Sequence, residues 1–222
     1  MSFISVFDVL GPNMIGPSSS HTAGAAVIGG LAGKIIAPPL KKVDFTLYGS
    51  FAKTYRGHGT DRALAAGIMG MLPSDPRIRD SLSIARSLGL RVDFSTGTVE
   101  DAHPNTAVLT LWDASGRSVE VQGASVGGGN ILITRFNGMD VAVTGQYTTL
   151  IVQHWDRPGM VAEVASLLGE EDINIASFRL SRESRGGQAV MTIELDAAAD
   201  GNLVETVRTL PGVLSATLIS PN

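Results

Sequence analysis

The first clear pattern along the chain is a run of Ala, Gly and Ile from Thr22 to Ala37, closed by Pro38 and Pro39. Proline lacks the amide donor that a continuing helix needs, so the run predicts a small-residue helix that stops there and packs closely on a neighbour. Val43 to Phe51 (VDFTLYGSF) is rich in β-branched and aromatic residues and predicts a strand. A turn follows, and then a helix near Thr60, with Thr60 or Asp61 as its N-cap. Arg77 to Leu90 carries apolar residues at helical spacing with Gly89 as a stop, and Arg91 to Phe94, Ala107 to Trp112 and Ser118 to Gln122 predict strands. The glycine-rich SVGGGN, Ser125 to Asn130, is a tight turn, a bulge or a backbone anion site.

From Thr148 the pattern becomes regular. Strand TLIVQHW leads to a helix from Pro158 to about Glu170, strand IASFRL, polar turn ESRGG, strand AVMTIEL, a helix from about Asn202 to Leu210, and strand LSATLI. This βαββαβ order is that of a ferredoxin-like sandwich, an antiparallel sheet with two helices on one face, and Pro158 suits a first helical position. The expected organisation is α+β, with an α/β domain over residues 1–145 and the ferredoxin-like domain over 146–222.

With 222 residues, 44% of them hydrophobic, the chain can bury two ordinary cores. A formal net charge of −4 with Lys and Arg scattered argues against nucleic acid as a partner. The N-terminus has no basic region before an apolar stretch, and no run approaches the roughly 18 apolar residues that cross a bilayer, so the expected location is the cytoplasm. The absence of cysteine excludes a disulfide framework, a thiolate nucleophile and any thiolate-held metal in this chain, and no metal site is expected here.

Three polar loops are candidates for chemistry. In GPSSSHTAG, Ser18, Ser19, Ser20, His21 and Thr22 precede the small-residue helix, where free backbone N–H groups and the positive dipole end suit a carboxylate; the same serines also make ordinary N-caps. In YRGHGTD, His58 lies between glycines at what reads as a strand-to-helix turn, beside Thr60 and Asp61, and imidazole titrates close to working pH. In DAHPNT, from Asp101, His103 and Asn105 precede a strand. The fourth histidine, His154, lies within a strand pattern and reads as structural. Ser50-Phe51-Ala52-Lys53 superficially suggests a pyridoxal-phosphate lysine, but the chain is too short for the domain such a cofactor needs.

Together GPSSSHTAG, YRGHGTD, AHPNT and SVGGGNILI resemble the β chain of the bacterial iron-sulfur L-serine dehydratases (L-serine ammonia-lyases) over nearly the whole chain. The resemblance implies an allosteric-substrate-binding-like α/β domain followed by an ACT domain, and a separate α chain whose cysteines hold the 4Fe-4S cluster. It implies deamination of L-serine to pyruvate and ammonia, with the partner's iron as Lewis acid on the substrate hydroxyl. His58 is then the base for the α-proton, His103 and Asn105 contact substrate or assist protonation, and Ser18 to His21, with Thr22, Thr60 and Asp61, bind substrate.

The C-terminal segment resembles an ACT domain at Asp156-Arg157-Pro158-Gly159-Met160 and at Asn174-Ile175. In that family such turns bind amino acids at a dimer interface; here the module either senses an amino-acid effector or only pairs two β chains. The chief rival is a non-catalytic regulatory module, since similar domains occur in some phosphoglycerate dehydrogenases, but such a module has no use for His58 or His103. A complete serine hydrolase is disfavoured by the lack of a G-x-S-x-G elbow. The end at Asn222, soon after the last strand, reads as a complete subunit with a separate partner.

Overall fold

The computed structural model describes residues 13–36, 39–98, 102–197, 199 and 201–221. Ala37 and Pro38, at the expected end of the first helix, and Asp101 of the third polar motif lie outside the described residues. The chain divides into two compact units, Met1–Thr134 and Arg135–Asn222.

In the first unit a single π-helical turn, Ser19–Ala23, leads into helix α1, Gly24–Ile35. Strand β1, Leu40–Leu47, is followed by helices α2, Gly49–His58, and α3, Thr60–Ile68. A 3₁₀ turn, Pro76–Asp80, and helix α4, Ser81–Ser87, precede strand β2, Arg91–Thr96. Strands β3, Thr106–Asp113, β4, Ser118–Gly127, β5, Asn130–Phe136, and β6, Met139–Val143, complete a sheet of order β2-β1-β3-β4-β5-β6. The unit division falls inside β5, and the expected boundary at 145/146 lies between β6 and the next strand.

β1 and β2 are parallel, so three helices span the crossover between them, whereas β1–β3 and β3–β4 are antiparallel. Val43, Phe45 and Leu47 are fully buried on β1, opposite Leu111, Leu109 and Ala107 of β3. The small residues of α1 bring backbones into contact. A Cβ at Gly67 of α3 would lie 2.0 Å from the Ala26 carbonyl oxygen, and one at Gly29 would lie 2.3 Å from that of Leu64. On β4, a Cβ at Gly123 would meet Ile28, and Gly24 abuts Ser125, so α1 lies between α3 and the sheet.

Several elements differ from expectation for tertiary reasons. The strand expected through Phe51 ends at Leu47, because Gly49 turns the chain at φ +55° and the Ser50 and Phe51 amides donate to the Pro104 carbonyl, starting α2 instead. The helix near Thr60 is entered through Gly59, at φ +69°, rather than capped by Thr60 or Asp61. Arg77 to Leu90 is not one helix, since its start is the 3₁₀ turn capped by the Asp75 carboxylate. Ser125 to Asn130 is a strand end and tight turn, with Gly127, Gly128 and Gly129 all at positive φ.

After β6, the second unit has the expected βαββαβ order from Thr148 onward. It runs β7, Thr148–Trp155, α5, Met160–Glu170, β8, Ile175–Arg182, β9, Gln188–Leu195, α6, Gly201–Thr209, and β10, Val213–Ile219. The sheet order is β10-β7-β9-β8, with every neighbouring pair antiparallel. Leu150, Val152, Met191 and Ile193 of the sheet pack with Met160, Val164, Leu168 and Val207 of the helices. α5 starts at Met160, not Pro158; Gly159, at φ +89°, makes the entry, and Pro158 is left in the preceding turn. His154 is buried, its Nδ1 2.8 Å from the Trp155 carbonyl.

Candidate active site

The SSSHT segment folds around its own histidine. The His21 amide donates to Ser18 Oγ at 3.3 Å, which makes Ser18 the N-cap, and His21 Nδ1 lies 3.2 Å from that hydroxyl and 3.5 Å from Ser20 Oγ. The other ring nitrogen, Nε2, is 3.0 Å from Ser50 Oγ in the first turn of α2. With a partner at each nitrogen the half-buried ring is fixed in place. It also packs edge-on against Phe51, centroids 5.3 Å apart.

The same ring reaches the second motif. His21 and His58 lie 4.8 Å apart between centroids, tilted by 51°, and Thr22 Oγ1 donates to the His58 carbonyl at 3.3 Å. Burial, and then the neighbouring His58, hold the His21 pKa below its ordinary value, so the neutral ring is favoured. His58 is the last residue of α2, which places it at a helix-to-helix junction and not at the strand-to-helix turn expected. Gly57 and Gly59 on either side have open space where a Cβ would stand. The His58 Nδ1 is buried without a hydrogen-bond partner, a situation that costs about 1–3 kcal/mol.

The third motif supports the first two. The Pro104 carbonyl accepts from the Ser50 amide at 2.6 Å and from the Phe51 amide at 3.3 Å, anchoring the start of α2. Asn105 joins Ser125 of β4, its carbonyl accepting from the Ser125 amide at 3.0 Å and its Nδ2 lying 3.5 Å from the Ser125 carbonyl. His103 is exposed, and its Nδ1 accepts from the Asn105 amide at 3.2 Å. What this loop delivers to the cluster is therefore the Pro104 carbonyl and the Asn105 backbone, while the His103 ring turns toward its own loop.

Two of the expected substrate-binding residues are not at a surface. Thr60 is fully buried with its hydroxyl unpartnered, and Thr22 is 2% exposed. Ser19 lies half-buried in the π-helical turn. Burial raises the Asp61 pKa, opposed by the Arg62 amide and the Arg62 and Arg56 charges.

Sequence reasoning overlooked Ser50, which lies in a segment set aside for lack of a cofactor domain, and it overlooked the arginines. Arg56, Arg62 and Arg79 line a cleft of about 200 Å³ with Thr22, His58 and Ile78. Arg56 stands inside the YRGHGTD motif and Arg62 directly follows it, but nothing in the spacing reveals that two helices fold them onto one rim.

In the second unit the groups expected to take an effector are engaged internally. The Arg157 guanidinium donates to both Glu163 carboxylate oxygens, at 2.9 and 2.6 Å, and to the Pro211 carbonyl at 2.7 and 3.0 Å. Asp156 accepts from the Gly186 amide and from Arg182, each at 3.0 Å, and these two contacts lower its pKa. Asn174 donates to Asp196, Ile175 opens β8, Met160 is 1% exposed in the core, and Pro158 and Gly159 form the turn before α5. Among the described residues no helix is long and apolar enough to cross a membrane.

The family model of the serine dehydratase beta chain matches residues 5–88, which contain the first two motifs, and that of the ACT domain matches residues 147–212. The chain is 40% identical over 220 residues to a protein of Bacillus subtilis named "Probable L-serine dehydratase, beta chain", covering 99% of this chain and 100% of that one. It is 39% identical over 197 residues to the L-serine dehydratase beta chain of Peptoniphilus asaccharolyticus, covering 88% and 89%. A D-3-phosphoglycerate dehydrogenase of Methanocaldococcus jannaschii is 24% identical over 200 residues, but only 37% of that longer protein is covered. With identity of 39–40% over most or all of the chain to two such proteins, and with His21, Ser50 and His58 gathered where the motifs meet, this protein belongs to the serine dehydratase beta chain family and contains an ACT domain.

Proposed function

We propose that this chain is the β subunit of an L-serine dehydratase, deaminating L-serine to pyruvate and ammonia together with an iron-sulfur α subunit. The observation that carries the reading is the convergence of His21 and His58, from separate motifs, with Ser50 of α2 beside an open cleft. The net reaction removes the α-proton and the β-hydroxyl as water, and hydrolysis of the resulting enamine releases ammonia and leaves pyruvate.

This chain has no cysteine, and among its described residues no group of three or more His, Cys, Asp or Glu could hold a metal ion. Its own residues do not fit a cluster, which in this proposal belongs to the α chain. What it contributes is the base. His58 borders the cleft between two glycines that leave room for a substrate, and it takes the α-proton. His21, kept neutral and held by Ser50 and Ser18, packs against the His58 ring and positions it, and the Pro104 carbonyl and Asn105 hold that scaffold. Edge strand β8 leaves Phe178 and Leu180 about 40% exposed, which suits pairing of two β chains.

The test is an anaerobic assay of pyruvate formation with this chain alone, the rebuilt α chain alone, and the two mixed. Activity is expected only in the mixture, and His58→Ala should lower kcat by about 10²- to 10⁴-fold in a folded complex. Equal activity from the α chain alone would make this chain a regulatory module. Wild-type turnover by His58→Ala would remove the base assignment.

A further inference from the structure

The cleft beside His58 has a composition that the motifs do not explain. Three guanidiniums, those of Arg56, Arg62 and Arg79, line it, and among the described residues no carboxylate does. Arg79 is paired with Asp80 at 3.1 Å. Arg56 and Arg62, both exposed, form no direct ion pair through their guanidiniums among the described residues; Arg56 rests against its neighbour, the Tyr55 ring, and both charges also act on the half-buried Asp61 carboxyl. α2 ends at His58, the left-handed Gly59 reverses the chain, and α3 begins at once, so Arg56 and Arg62 reach the same opening from two helices. No side chain caps the start of α3, but the Asp61 carboxylate in its first turn accepts from the Arg62 amide and answers the positive dipole end there, so the anion attraction of the cleft rests on the guanidiniums.

Size and polarity narrow the ligand. At about 200 Å³ the cleft lies below the roughly 300–1,000 Å³ that takes drug-sized molecules. It suits the end of a small metabolite rather than a nucleotide. Guanidinium is planar and presents paired N–H donors that match a carboxylate. With three arginines and no acid among its described lining residues, the cleft addresses the anionic end of an amino acid and leaves the ammonium to be met elsewhere. Ser18, by contrast, already caps the π-helical turn and touches His21, so its hydroxyl is largely committed.

We propose that Arg56 and Arg62 form the carboxylate subsite, holding the carboxylate of L-serine in the cleft that His58 borders. The assignment rests on the L-serine dehydratase reading and deepens it, by moving the anchoring of substrate from the serines to the arginines. A carboxylate held there brings the adjoining α-carbon to the imidazole side of the cleft, where the proton is removed. Arg79 contributes to the local field but is neutralised in part by Asp80.

Two measurements test this independently of each other. In the anaerobic αβ complex, Arg56→Gln and Arg62→Gln should each raise KM for L-serine by about ten- to a hundredfold with kcat changed much less, as expected for loss of a charge-assisted contact made in the ground state. Arg86→Gln, on exposed α4 outside the cleft, should change neither. In the isolated full-length chain, the His58 imidazole resonances, assigned with His58→Gln, should shift on titration with L-serine and with acetate but not with L-serinamide, and Arg62→Gln should abolish the shift. Unchanged KM in both arginine variants would overturn the subsite. So would variants that fold but no longer assemble with the α chain, since the arginines would then face the partner. If the wild-type complex makes no pyruvate from L-serine, the dehydratase reading fails, while the carboxylate-dependent shift still decides the subsite.

Discussion

Gly67→Ala puts the contact between α1 and α3 to a quantitative test. The new methyl would lie 2.0 Å from the Ala26 carbonyl oxygen and 2.7 Å from the Gly30 nitrogen, whereas favourable contacts lie near 3.5 Å or beyond. Both obstacles are backbone, so no side chain can swing aside. The helices must separate by roughly 1.5 Å, and contacts lining a gap of about 1 Å lose up to half their dispersion energy. Overpacking of this kind costs about 1–3 kcal/mol, here at the upper end, and the better helix propensity of alanine returns only about 1 kcal/mol. The expected net loss is about 2 kcal/mol, or roughly 4–8 °C in Tm for a chain of this size. Gly30→Ala is the matched control, because its Cβ would stand 3.7 Å from the nearest atom, the Gly67 carbonyl oxygen. It should stabilise by about 0.4–1 kcal/mol. Urea melts followed by circular dichroism give both values at constant slope. Stability of Gly67→Ala at or above wild type would refute the backbone contact, and with it the account of why α1 is built from small residues. Activity should fall further than stability in this variant, since α1 continues the π-helical turn that carries His21 and α3 begins beside His58.

Three other outcomes are expected. The Ser125 hydroxyl is buried without a partner, so Ser125→Ala should stabilise the fold by about 1 kcal/mol in thermal melts; a loss of that size would mean the hydroxyl is satisfied. His21 has its folded pKa below the ordinary 6.5, so the unfolded chain binds more protons, and stability should be full above that pH and decline as pH falls below it; His21→Gln should flatten this slope in melts between pH 7 and about 5. Asp113 accepts from Ser115 and Arg117 in the β3–β4 turn, which holds its carboxyl near 2, against an ordinary value of 3.8. Its stabilisation should be complete above the ordinary value and vanish as pH falls through about 2, so the difference between wild type and Asp113→Asn should shrink over that window in acid titrations; a constant difference would contradict the assignment.

The sequence by itself determined the elements whose signals are local. The second unit's strands alternate or run apolar over five to eight residues, and each formed where its pattern lay, because a βαββαβ unit is specified by short-range periodicity and turns. The polar motifs were legible for the same reason, being contiguous strings such as SSSHT and GHGTD. The tertiary structure decided the rest. Phe51 leaves the strand pattern for a helix because Pro104, more than fifty positions away, accepts its amide. Ser50 becomes the partner of His21 only through that same displacement, and Arg56 and Arg62 share a cleft only because Gly59 folds α2 back onto α3. The glycines of α1 carry no pattern of their own that names a partner. What gives them meaning is a second helix close enough that a single methyl group does not fit, and that distance is a property of packing, not of spacing along the chain.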